Sequence, residues 1–304
     1  MANILIAGAN GLIGKELSSY LHTQGHTIHW LVRKPSAQIS YPQFIWDPSN
    51  QKIDLNAFKS VDVLINLTGS PISSGRWTAK RKSDILQSRL NSIQVLSDAL
   101  NLAQVRPRQI IQATAIGFYG DRPNAQVTEK DPAGINGFLC EVTKQWEDKA
   151  RIFENQTQIL TTVRTGLYLS SNGGVWPKLI MTLPFKFISY FGNGNQIYSW
   201  IHDSDYIRAL AHLIDHKISG PVNLTAPHPV SHKDLVKAIQ KIYPCLLIPG
   251  PPAIILRILM GEMSSLVLDS CDAHPKVLLD SGFQFKHAYI DSAVQTLLKK
   301  SDKA

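Results

Sequence analysis

The sequence predicts an α/β protein, a doubly wound parallel sheet followed by a small C-terminal domain. Three observations lead there. A short apolar strand, Asn3 to Ala7, runs straight into the glycine-rich stretch Gly8-Ala9-Asn10-Gly11-Leu12-Ile13-Gly14. Strand-length apolar runs then alternate with stretches of helical periodicity as far as Arg164. The runs are apolar on successive residues, which suits strands covered on both faces by crossover helices.

Each element has its own signal. Leu12, Ile13, Leu17, Tyr20 and Leu21 recur at helical spacing after the glycines. Thr27 to Val32, Phe44 to Trp46 and Val61 to Asn66 read as the second, third and fourth strands. A long helix is expected over Thr78 to Leu102, with Leu86, Leu90, Ile93, Leu96 and Leu100 on one stripe. The fifth strand is Gln109 to Thr114, a helix covers about Phe138 to Phe153, and a strand runs from Gln158 to Arg164.

Beyond Thr165, glycines and prolines interrupt the pattern, so residues 166–199 read as substrate-side loops before an ordered stretch at Trp200 to Ile214. Helical stripes return at Leu235 to Ile242 and Ala253 to Leu259, separated by Pro249-Gly250-Pro251-Pro252. The expected organisation is a nucleotide-binding domain at 1–229 and a mostly helical substrate or cap domain at 230–304. Disorder is expected only from Lys299 to Ala304.

Composition narrows the function. Of 304 residues 44% are hydrophobic and 18% charged, a globular balance. No apolar window reaches membrane-span length and the N-terminus resembles no signal peptide, so the expectation is a cytoplasmic protein with no membrane partner. Cys140, Cys245 and Cys271 lack metal-ligand spacing, so no metal or disulfide is expected. The net charge of +8 has one dense cluster, Lys80 to Lys82, too little for nucleic acid but compatible with phosphate-bearing ligands.

Following a strand and opening a helix, Gly8, Gly11 and Gly14 match a dinucleotide fingerprint. Gly8 permits the turn, Gly11 the approach of the pyrophosphate, and Gly14 close packing of helix on strand, while the amides of Leu12 and Ile13 face phosphate. Asn10 belongs to the same loop. Arg33, with Lys34, stands where an acidic residue would hold the ribose hydroxyls of NAD, which points to the 2′-phosphate of NADP(H). Asp47 is placed to meet the adenine edge, and Asn66, Leu67, Thr68 and Gly69 lie where the middle of the cofactor should fall.

These residues, together with Trp46-Asp47-Pro48, Arg76-Trp77, Ser88-Arg89, Gly117 to Asp121, Trp146-Glu147, Arg164-Thr165-Gly166, Trp200-Ile201-His202, Gly220 to Leu224 and Gly261-Glu262-Met263, resemble the extended short-chain dehydrogenase/reductases. Within that superfamily the chain is similar to the epimerase family named for nucleoside-diphosphate-sugar epimerases. The resemblance spans nearly the whole chain and implies an extended Rossmann fold with a small C-terminal substrate domain.

One departure bears on the chemistry. The family's Tyr-x-x-x-Lys pair belongs on the helix after the fifth strand, which here reads Phe138-Leu139-Cys140-Glu141-Val142-Thr143-Lys144. Thr114 and Ala115 replace the strand-end serine. Thr114 and Tyr119 are the candidate replacements for the proton-transfer residues, with the alternatives that Thr114 caps its strand and that Tyr119 only lines the nicotinamide pocket, the commoner role for a tyrosine in this loop. Glu141 and Lys144 read as a surface pair and His202 as an organiser of structure. Arg89 is a candidate cofactor or phosphate ligand that could equally tie its helix to a neighbour. The expected function is an NADP(H)-binding oxidoreductase or epimerase-like protein acting on a small carbonyl or sugar nucleotide; the alternative is an NADPH sensor without turnover.

Overall fold

A computed structural model describes residues 1–301. Its centre is an eight-stranded sheet of β1 (Asn3–Ala7), β2 (Thr27–Val32), β3 (Gln43–Asp47), β4 (Lys52–Ile53), β5 (Val63–Asn66), β6 (Gln109–Ala115), β7 (Ile159–Thr165) and β8 (Gly220–Leu224). In space the order is β8-β7-β6-β5-β1-β2-β3-β4. Every pairing is parallel except β3 with β4. The winding reverses between β1 and β5, and a crevice at such a reversal, outside the carboxyl ends of the strands, is where open α/β sheets bind ligands.

The apolar runs follow from burial on both faces. In β1, Ile4 and Ile6 join a cluster with Leu17 and Leu21 of α1 (Leu12–Thr23), while Leu5 and Ala7 join the opposite cluster. That second cluster contains Ile93, Leu96 and Leu100 of α2 (Ala79–Leu102) and Trp146 of α3 (Phe138–Ala150). Alternate residues of one strand thus anchor helices on both sides, each large side chain contributing roughly 1.5–3 kcal/mol.

Most predicted elements lie within a residue or two of their expected bounds, and Thr78 is the N-cap of α2, its hydroxyl accepting from the Arg81 amide. The helix expected to Phe153 ends as an α-helix at Ala150 and continues as a 3-10 turn, Arg151–Asn155. The two-residue β4 carried no periodic signal.

Two expectations change in the C-terminal half. Segment 167–200 is packed structure: Leu169, Trp176, Leu183, Ile188 and Trp200 share a core with Leu235 and Ile239 of α5 (His232–Ile242) and with Ile290 and Val294. Its strand Phe187–Tyr190 pairs with Leu246–Pro249, and Ile197–Tyr198 pairs with Val230–Ser231. The last helix runs over Ile290–Ser301 and so occupies Lys299 to Ser301, where disorder was expected, because Leu297 and Leu298 anchor its end in that core. Asp302 to Ala304 lie outside the described residues. Among the described residues no helix is long and apolar enough to cross a membrane.

Candidate functional site

At the carboxyl end of β1 the chain turns at Gly8, whose φ of +83° lies in the left-handed region that favours glycine. A Cβ there would also stand 3.1 Å from Thr68 Cγ2 and 3.2 Å from the Leu67 carbonyl carbon. The Gly11 amide donates to the Gly8 carbonyl at 3.0 Å and closes the turn. At Gly14 a Cβ would fall 2.5 Å from the Gly8 oxygen and 2.6 Å from Ala9 Cα, so only glycine lets α1 lie this close to β1. Gly11 is the N-cap of α1, no side chain caps the helix, and its first turn holds no acidic residue. The positive end of the helix is left open to an anion, with Asn10 and Gly11 exposed beside it.

Arg33 and Lys34 are exposed just beyond β2. Asp47 ends β3 and is turned to local use. Its carboxylate accepts from Asn50 Nδ2 at 2.7 Å and from the Ser49 amide at 3.0 Å, capping the turn Pro48–Asn50. The Asn50 hydrogen bond holds its carboxyl below the usual range, aided by the Ser49 amide and the charge of Arg33. The carboxylate expected at the adenine edge is thus also the cap of its own turn.

The end of β5 is braced from within. Buried Asn66 donates to Gln112 Oε1 at 2.9 Å and accepts from Thr68 Oγ1 at 2.5 Å, which ties β5 to β6 and shapes the Leu67-Thr68-Gly69 exit. Asn66 thus supports the loop rather than facing a ligand. Across the exit, Arg89 is 8% exposed, lies on the Trp146 ring at 4.7 Å, and donates to the carbonyls of Ile85 (2.7 Å) and Ser70 (3.2 Å). Its guanidinium presses so closely on Gly69 that a Cβ there would be 3.1 Å from Cζ and Nη2. Arg81 donates to Ser70 Oγ at 2.9 Å. Among the described residues neither arginine has a carboxylate partner. Burial, then the charge of Arg81, pulls the pKa of Arg89 down to about 10.

At the end of β6 the structure overturns both catalytic candidates. Residues 116–119 form a 3-10 turn that rolls Tyr119 into the core, where it is fully buried. Its hydroxyl accepts from Arg164 Nη1 at 2.8 Å, and its proton is shared between Asn223 Oδ1 at 2.8 Å and the Thr128 carbonyl at 3.0 Å. Burial pushes this phenol up to about 12. Thr114 is 3% exposed and donates to Glu147 Oε1 at 3.0 Å or the Val163 carbonyl at 3.2 Å. Glu147 also holds Arg164 through two bonds, 2.9 and 2.8 Å. Both candidates belong to a brace joining β6, β7, β8 and α3, with no group left to meet a substrate.

What faces the strand end from α3 is a different pair. A Cβ on Gly117 would stand 3.4 Å from Leu139 Cβ and 3.7 Å from Thr143 Cγ2. These residues are four apart, the spacing of the absent tyrosine and lysine, and the Thr143 hydroxyl is spent on the Leu139 carbonyl at 2.8 Å. Glu141 and Lys144 form an outer pair at 3.9 Å, as expected of a surface face. His202 is 1% exposed and caps α4 (Asp203–Asp215) by accepting the Ser204 amide at 3.1 Å, the structural role anticipated for it.

An NAD dependent epimerase/dehydratase family model matches residues 4–225, and a domain of unknown function, DUF1731, matches 251–297. The chain belongs to the epimerase/dehydratase family. It is 32% identical over 299 residues to an epimerase family protein of Mycobacterium leprae, covering 96% of this chain and 94% of that one. The human epimerase family protein SDR39U1, solved with NADPH, superposes with a TM-score of 0.87 at 23% identity, covering 98% and 99% of the two chains. A nucleoside-diphosphate sugar epimerase from Corynebacterium glutamicum gives 0.76 at 28% identity, over 98% of this chain and 58% of that one. The fold is that of the short-chain dehydrogenase/reductases, and a nicotinamide cofactor is the family's ligand.

Proposed function

We propose that this protein binds NADP(H) and is an oxidoreductase or epimerase-like enzyme acting on a small carbonyl or sugar nucleotide. Gly8, Asn10, Gly11, Leu12, Ile13 and Gly14 would hold the pyrophosphate, Arg33 the 2′-phosphate, and Leu67, Thr68, Gly69 and Arg89 the middle of the molecule. When bound, the cofactor supplies a hydride donor or acceptor. Residues from about Val230 onward, with segment 167–200 packed on them, are read as the cap that closes the substrate side.

The observation that supports this reading most is the Arg89 guanidinium. Burying a cation without a counter-ion is costly, and a pKa held down to about 10 is the mark of that cost. An anion beside Gly69 would relieve it, and Gly69 directly follows Leu67 and Thr68, which pack against Gly8 of the glycine turn.

The test of the finer claim is a titration of NADPH and NADH, followed by energy transfer from tryptophan to the nicotinamide. NADPH is expected to bind more tightly, and Arg33→Ala to weaken it about tenfold while leaving NADH unchanged, since a charge-assisted hydrogen bond contributes roughly 1.5–3 kcal/mol. Equal affinities in the unaltered protein would overturn the NADP(H) assignment.

A second reading, an NADPH sensor without turnover, is favoured by the buried Tyr119 and by Leu139 and Thr143 at the tyrosine–lysine spacing. Aldehydes and quinones tested by NADPH absorbance, together with sugar nucleotides tested by product analysis, separate the two, because the sensor turns over none of them.

A further inference from the structure

We propose that the substrate end of the cleft takes an uncharged compound with an apolar aromatic or hydrocarbon body, a quinone or ketone rather than a nucleoside-diphosphate sugar. The inference rests on the cofactor reading for its placement and on the walls of the cleft for its chemistry.

Trp77, Phe138, Leu139, Met263 and Leu266 belong to one apolar cluster. It spans the two units, since Leu139 sits against Gly117 at the end of β6 and Met263 and Leu266 come from the C-terminal segment. Phe138, Leu139, Met263 and Leu266 are only half-buried, so the cluster presents apolar surface outward at the strand ends. That surface continues onto α6 (Ala253–Met260), where Ile258 and Leu259 are 70% and 67% exposed and only Leu256 is buried. The helix is moored beside the cleft by Arg76 Nη2, which donates to the Ile258 carbonyl at 3.3 Å, and by the ion pair of Lys82 with Glu262.

Most of the charges around this wall have partners. Lys82 is taken by Glu262, and Arg257 faces Asp269, three residues along from Leu266. Burial, and then the neighbouring Asp121, push the Asp269 carboxyl up to about 6. A diphosphate needs several unpaired cations, as Arg81 and Arg89 provide at the cofactor end; here the wall offers Arg76, bonded to the Ile258 carbonyl, amid apolar side chains. The hydroxyls of Thr114, Tyr119 and Thr143 all donate inside the protein, so none has a proton free for a sugar. An apolar ligand loses nothing by that and buries Leu139 and Met263 from water.

The experiment is calorimetric titration of the full chain, saturated with NADP+ so that no turnover occurs, with menadione and with UDP-glucose. Menadione is expected to bind at least tenfold more tightly. Leu139→Glu and Met263→Glu, each half-buried at the wall, should both weaken menadione tenfold or more and leave NADP+ affinity within twofold. Leu102→Glu, on an exposed apolar residue at the end of α2 farthest from Trp77, should change neither. Tighter binding of UDP-glucose, or unaltered menadione affinity in both wall variants, overturns the proposal. Failure of NADP+ to bind overturns the cofactor reading instead, and the same menadione titration without NADP+ then still judges the wall.

Discussion

The two ends of the cleft are built on opposite terms. At the glycine-loop end the working groups are backbone amides, an open helix terminus and two guanidiniums that have no carboxylate partner among the described residues. At the α3 end the hydroxyls of Thr114, Tyr119 and Thr143 are satisfied internally and the remaining surface is apolar. The contrast teaches which half of such a scaffold resists change. The cofactor half depends on close backbone approaches that one extra carbon would block, whereas the substrate half depends on side chains that can be exchanged while the helix beneath them stays in place.

The largest effect should come from Gly14→Ala. Its Cβ would meet backbone at 2.5–2.6 Å, so α1 must move away from β1. We expect a loss of roughly 1–3 kcal/mol in stability by thermal unfolding and about a hundredfold in NADPH affinity, as the displaced loop no longer fits the pyrophosphate. Unchanged affinity would remove the glycine loop from the cofactor site and end the comparison.

Arg89→Met should weaken NADPH by about 10- to 100-fold. Without cofactor its stability should hold or rise, because a buried cation lacking a carboxylate is exchanged for a side chain that packs. Opposite signs in the two measurements identify a residue kept for a ligand. A fall in stability with unchanged affinity would identify a helix tie instead.

Tyr119→Phe sharpens the other end. It removes one buried hydrogen-bond partner from each of Arg164 and Asn223 and should cost about 1–3 kcal/mol of stability. NADPH affinity, and any turnover found, should stay within twofold. A selective loss of turnover at unchanged stability would return Tyr119 to the chemistry.

How much of the site was legible beforehand follows the same division. The glycine loop could be read because its spacing is enforced locally, by one turn and one helix-on-strand contact, and those constraints are written into adjacent residues. Arg89 was visible only as one of two readings, since whether a helical arginine faces a carboxylate or an empty anion position depends on chains far away in sequence. Tyr119 was misplaced because proximity to the end of β6 does not reveal the 3-10 turn that carries its ring inward to Asn223, 104 residues away. Asp47 has a further role that strand-end position alone does not reveal: its carboxylate engages Asn50, three residues on, and caps its own turn.

The sequence alone determined the alternation of strand and helix, the glycine loop and the missing tyrosine–lysine pair, because apolar periodicity and residue identity are local properties. Tertiary structure decided that segment 167–200 folds with the C-terminal helices, that Leu139 and Thr143 face Gly117, and that Met263 and Leu266 complete an apolar wall begun by Trp77 and Phe138. Those are contacts between distant parts of the chain, and each forms only because the exposed apolar faces of one unit find their cover on another.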